Sequence, residues 1–158
     1  METHNSLRAQ LNSMYGTILV ALDGSEESHT ALEHSFDVAE SSGATVHVLT
    51  VVDTANPIQF GIEEVEKLDS AATDLVEDIV DAYADHDIDI RGDVRRGTPA
   101  PVLLEYAAEI DADLIIAGQR GSSGLTGALL GSTTDRLSRM TDRPLLIVPA
   151  GEETDTDE

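Results

Sequence analysis

Leu114-Ile-Ile-Ala117-Gly118-Gln-Arg-Gly121-Ser-Ser-Gly-Leu-Thr-Gly-Ala-Leu-Leu-Gly131-Ser132 joins a short apolar run to a glycine-rich loop. An apolar run this short, ended by glycine, has the pattern of a strand buried on both faces. The spacing then predicts a helix from Ser132 to about Met140, followed by a last strand at Pro144–Val148, PLLIV. Strand, loop, helix and strand in that order form the repeating unit of a parallel sheet, because a parallel crossover needs a covering helix.

The same unit recurs upstream. Thr17–Asp23 (TILVALD) reads as a buried strand, Gly24-Ser25 breaks it, and Ser25 suits a helix N-cap with Glu26 and Glu27 in the first turn. Leu32, Phe36 and Ala39 carry the apolar stripe of that helix to about Ser42, where Gly43 stops it. Thr45–Val52 (TVHVLTVV) is a second strand, and 55–61, with Pro57, is a loop. Ile62, Val65, Leu68, Ala72, Leu75, Ile79 and Ala82 recur at helical spacing. Ile88, Ile90, Gly92 and Val94 alternate, which predicts a half-exposed strand near the sheet edge. Arg95-Arg96 reads as a surface pair before a turn at Gly97, and Thr98-Pro99 as N-cap and N1 of another helix. The expected fold is therefore α/β: an open five-stranded parallel sheet with helices on both faces, Rossmann-like.

The chain has 158 residues, which suits one domain. Residues 1–13 and the acidic tail 151–158 are expected to be disordered extensions of a domain spanning 14–150. No apolar run reaches about 18 residues, so no membrane helix is expected, and without a secretory h-region the expected location is cytoplasmic. There are 31 Asp and Glu against 9 Lys and Arg, a net charge of −22. Such a surface repels itself at low salt. At about 1 M salt the Debye length falls to roughly 3 Å, so the composition reads as adaptation to a salty, halophilic cytoplasm. The scattered cations offer no basic patch for a nucleic acid. The histidines (4, 29, 34, 47 and 86) show no metal-ligand spacing, and there is no cysteine.

Ligands of open α/β sheets sit beyond the carboxyl ends of the strands, where strand order reverses. That directs attention to Asp23-Gly24-Ser25, Val51–Asp53 and the loop from Gly118. Glycines let backbone come close to a ligand, and a helix opening at Gly131-Ser132 offers free N–H groups to phosphate. Ser132 and Thr133 add hydroxyl donors and Arg120 adds charge.

Gly118-x2-Gly121-x9-Gly131-Ser132 resembles the glycine pattern of the ATP-binding branch of the universal stress protein family. Ile18–Ser25, Asp113–Gly118 and Pro144–Val148 are similar to the family's first, fourth and closing strands. The resemblance implies that Asp23 contacts the adenosine moiety and that the backbone of Val51, or of Val52 one register on, contacts adenine. It implies further that Gly118, Gly121, Gly131 and Ser132 contact the triphosphate, with Thr133 adjacent. ATP, carried with Mg2+, is the implied cofactor. A homodimer through Leu145–Val148 is the implied assembly, and an apolar edge strand gives it an independent motive. The implied function is an ATP-binding regulator of the stress response. Two alternatives stand beside it: a slow ATP hydrolase, with Asp135 as a Mg2+ ligand if it points back, and a protein-interaction domain without nucleotide. An alternative role for Asp23 is as a helix N-cap.

Overall fold

The computed structural model describes residues 15–54, 61–121 and 130–149. The extensions expected at 1–13 and 151–158, and the loop at 55–60, lie outside the described residues. Nine elements follow in order: β1 (Thr17–Ala21), α1 (Glu26–Ser42), β2 (Thr45–Asp53), α2 (Ile62–Ala82), β3 (Asp89–Gly97), α3 (Pro99–Ile110), β4 (Leu114–Gly118), α4 (Ser132–Met140) and β5 (Leu145–Val148). The strands form one sheet in the order β3-β2-β1-β4-β5, every pair parallel. This is the expected Rossmann-like architecture.

The apolar strands are buried on both faces, so the core divides into two layers. Ile18, Val20, Val46 and Val48 face α1 and α2, packing with Leu32, Phe36 and Val76. Leu19, Leu49 and Ile115 face the other way, against Leu103 and Tyr106 of α3 and Leu137 of α4. Alternation along β1 thus sends Leu19 to one layer and its two neighbours to the other. With few aromatics, the interior is filled by Val, Leu, Ile and Ala.

The punctuation is local. Ser25 caps α1, its Oγ accepting from the Ser28 amide at 3.1 Å. Gly43 ends that helix at φ 72°, a conformation that costs a residue with Cβ, and donates its N–H to the Ala39 carbonyl. Thr98 and Pro99 open α3 in the expected positions. Asp113 ties the far end of the sheet, accepting from the amides of Gly16 and Thr17 at 2.9 and 3.0 Å.

Arg95 and Arg96 do not precede a turn; they are strand residues, because β3 stays in register with β2 as far as Asp53 and Gly97. Strand alternation sends the two arginines to opposite faces. Arg95 reaches Glu109 of α3 at 2.6 Å, and Arg96 reaches Asp69 of α2. The first strand ends earlier than its sequence suggests, at Ala21, although the Leu22 amide still bonds the Leu49 carbonyl at 2.9 Å. Among the described residues no helix is long and apolar enough to cross a membrane.

Gly92 shows how closely α2 lies on the sheet. A Cβ there would run into Val76 Cγ1 and stand 3.3 Å from Val48 Cγ2. Gly92→Ala is expected to destabilise the fold by about 1–3 kcal/mol through overpacking. Urea unfolding measures it; an unchanged midpoint would show that α2 is free to move away.

Candidate functional site

Strand order reverses between β1 and β4, with α1 and α2 on one face and α3 and α4 on the other. At that reversal, beyond the carboxyl ends of the strands, lies a cavity of about 240 Å³. Asp23, Val51, Gly118, Arg120, Gly121, Gly131, Ser132 and Thr133 all line it. Of the two candidates at the end of β2, Val51 faces the cavity, whereas Val52 is buried and is not part of the lining.

The glycines allow three close approaches. A Cβ on Gly118 would stand 2.6 Å from Glu27 Cβ, so the first turn of α1 lies directly on the end of β4. One on Gly121 would stand 3.0 Å from Asp23 Oδ2. One on Gly131 would stand 3.1 Å from the Gly121 nitrogen and 3.3 Å from the Arg120 carbonyl carbon. The spacing that suggested a ligand cradle is thus first a packing motif. Two further bonds hold it: Gly131 N–H to Gln119 O at 2.8 Å, and Gln119 N–H to Val148 O at 2.7 Å. Residues 122–129 of the loop lie outside the described residues.

Helix α4 opens toward this frame. Its first backbone bond runs from Asp135 N–H to Gly131 O, so the amides of Ser132, Thr133 and Thr134 have no acceptor within their own helix. Gly131, the N-cap, has no side chain to satisfy them. Helix α1 contrasts: Ser25 caps it and Glu26 and Glu27 fill its first turn, so its positive end is already neutralised. Three helix N-termini border the cavity, and that of α3 begins with Pro99, which has no N–H, so α4 is the one suited to an anion. The Thr134 hydroxyl donates to the buried Gly118 carbonyl at 2.7 Å and fixes α4 to the end of β4.

Asp23 is not the helix cap; Ser25 is. Asp23 instead accepts the Ser25 amide on Oδ1 at 2.9 Å, closing the turn, with Oδ2 on the Gly121 side. Asp135 does not point back to the cavity: its carboxylate holds Arg139 at 2.7 Å, one turn further along α4. Asp23, Asp53 and Arg120 are the ionisable residues of the lining. Beside the glycine frame the lining carries the apolar side chains of Leu49, Val51, Pro99 and Leu103. The site therefore combines backbone N–H and hydroxyl donors from α4 with aliphatic carbon from β2 and α3.

Thr134, Asp53, Pro99 and Leu103 line the cavity without having been singled out in the sequence. Asp53 lay inside the stretch flagged at the end of β2, and Thr134 stands in the helix's first turn, where a hydroxyl is well placed for backbone groups. Pro99 and Leu103 carried only a helix signal. A second polar cluster lies on the flank of α3, outside the cavity, where Arg95 stacks 4.7 Å from the Tyr106 ring and His47 meets the Tyr106 hydroxyl at 3.4 Å. Burial, and then the Arg91 charge, hold His47 below the ordinary imidazole range. Among the described residues no group of three or more His, Cys, Asp or Glu comes together as a metal site.

The universal stress protein family model matches residues 14–149. The chain belongs to the universal stress protein family. It is 28% identical to universal stress protein MJ0531 of Methanocaldococcus jannaschii, over 91% of this chain and 88% of the relative. It is 32% identical to the stress response protein NhaX of Bacillus subtilis, over 83% and 96%. Among solved structures, the protein MJ0577 superposes with a TM-score of 0.80 at 27% identity, covering 89% of this chain and 99% of that one. A universal stress protein solved in complex with cAMP matches at 30% identity and a TM-score of 0.58, over 85% and 97%.

Thr134→Val keeps the volume near Thr134 but removes the donor to the Gly118 carbonyl. Leaving that buried acceptor without its partner is expected to cost about 1–3 kcal/mol. Urea denaturation of the variant at the parent's midpoint would show the bond to be dispensable.

Proposed function

We propose that this chain is a cytoplasmic, ATP-binding regulatory protein of the stress response, acting through a nucleotide-dependent dimer or partner state. The carrying observation is the convergence of the uncapped α4 N-terminus with the Gly118–Gly121 backbone at a cavity that also has the aliphatic side chains of Leu49, Val51, Pro99 and Leu103 in its lining. An adenine nucleotide matches that combination, with an apolar face at the base and negative charge at the phosphates. Gly118, Gly121, Gly131, Ser132 and Thr133 would hold the phosphates, with Arg120 beside them. Asp23 would take the adenosine moiety, and the Val51 backbone the base. The relative solved with cAMP supports an adenine nucleotide as the ligand class. Mg2+ would arrive with the ATP, supplying charge neutralisation at the phosphates.

Calorimetric titration of Mg-ATP in molar KCl tests the site. The parent is expected to bind. Gly131→Val, which forces the side chain against the 120–121 backbone, is expected to lose affinity by at least about tenfold while retaining its circular dichroism. Because protein and ligand are both anionic, affinity should be poor at low salt and rise as KCl screens the repulsion. Absence of binding by ATP, ADP and AMP would overturn the reading. Affinity that falls steadily with KCl in a folded sample would overturn the halophilic part of it.

The dimer would form through β5, an edge strand of the sheet. It carries Leu146, which is 39% exposed. Pairing of β5 across a two-fold would cover it. Sedimentation equilibrium should give a dimer for the parent and a monomer for Leu146→Lys; equal masses for the two would exclude β5 as the interface.

A further inference from the structure

The cation of the cavity lining already has an anion. Arg120 Nε lies 3.2 Å from Glu27 Oε2, and the two side chains are only 20% and 12% exposed. The pair is the least exposed Arg–carboxylate contact among the described residues. Glu27 is fixed from two sides. It stands in the first turn of α1, where the helix dipole favours a carboxylate, and its Cβ rests on Gly118 at a distance only glycine permits. Yet Glu27 is not part of the cavity wall. It acts on the site through Arg120.

From this geometry we infer that Glu27 is a positioning residue that sets how strongly the site distinguishes nucleotides by phosphate number. The inference rests on the nucleotide reading of the cavity. A phosphate that approaches Arg120 has to share the guanidinium with Glu27, and two anions then flank one cation in a poorly hydrated place. Asp23 and Asp53 add two further carboxylates to the lining. The gain from each added phosphate is therefore damped, and the amides of α4, which carry only partial charge, supply what remains. The site accepts one phosphate nearly as well as three. Removing the Glu27 charge takes away one anion that competes with the phosphates for Arg120 and makes affinity climb with their number.

The test is a double-mutant cycle by calorimetry with the full chain in molar KCl, using Mg-ATP and AMP as probes. The wild-type chain is expected to bind the two within about tenfold of each other. Glu27→Gln should tighten ATP by about tenfold and AMP by no more than about twofold. In an Arg120→Gln background the same substitution should change neither. Glu26→Gln removes an exposed carboxylate from the same helical turn and should leave the ATP:AMP ratio as it was. Several results would overturn the inference: equal loss of both nucleotides in Glu27→Gln, an undiminished effect without Arg120, or the same gain from Glu26→Gln. If Glu27→Gln does not fold, Glu27→Asp, whose shorter side chain weakens the pair, must shift the ratio in the same direction. A ratio unchanged in that variant also overturns it. A wild-type chain that binds neither nucleotide would instead overturn the nucleotide site itself, and this inference with it.

Discussion

Backbone at Gly118 lies closer to its neighbour than any side chain would allow, backbone at Gly121 and Gly131 is nearly as tight, and the architecture of the site depends on it. The end of β4, the turn after β1, the first turn of α1 and the N-terminus of α4 all meet there. A Cβ at 118 would run into the first turn of α1, and one at 131 would press on the 120–121 backbone. Once those contacts are made, the remaining bonds follow from them. Thr134 reaches the Gly118 carbonyl, Gly131 the Gln119 carbonyl, and Gln119 the last residue of β5. The uncapped amides of α4 therefore face a cavity instead of solvent because the glycines bring four elements to one place.

This changes the meaning of the glycine spacing. Read from the sequence, it suggests flexible backbone shaped around a ligand. In the fold, the three described glycines are occupied with each other and with Glu27 and Asp23. The donors facing the cavity come instead from Ser132 and Thr133, just past the third glycine. A glycine motif of this type is thus a device for presenting a helix end, and its glycines act on any ligand partly through the frame they permit.

The sheet was legible because parallel strands buried on both faces have little freedom: TILVA, TVHVLTVV, LIIA and LLIV have few polar residues to place elsewhere. The caps were equally plain, since Ser25, Gly43 and Thr98-Pro99 act within a turn of their own position. Arg95-Arg96 misled because a polar pair before glycine resembles a turn, and what keeps it in the strand is remote. Glu109 and Asp69, which hold the two arginines, come from helices on opposite faces of the sheet. Thr134 was missed as a site residue for the same reason, having a sufficient local role in a helix turn, and Asp53 was flagged only as part of a strand end. Only the fold shows that the two meet at one cavity.

The scarcity of cations adds a last constraint. Nine Lys and Arg serve 31 acidic residues, and four of the arginines tie one element to another. Arg95 ties β3 to α3, Arg96 ties β3 to α2, Arg143 ties the approach to β5 to the end of α3, and Arg120 ties the end of β4 to α1. Each joins two elements, and Arg120–Glu27 spans 93 positions of the chain. Exposed pairs of this type contribute little at high ionic strength, because salt screens them. Arg120–Glu27 is screened least, being the most enclosed. In a protein with so few positive charges, the cation beside the candidate phosphate end thus also holds two elements of the fold together. Charge for binding and charge for assembly draw on the same guanidinium, and the uncharged amides of α4 are what a surface this acidic has left to offer an anion.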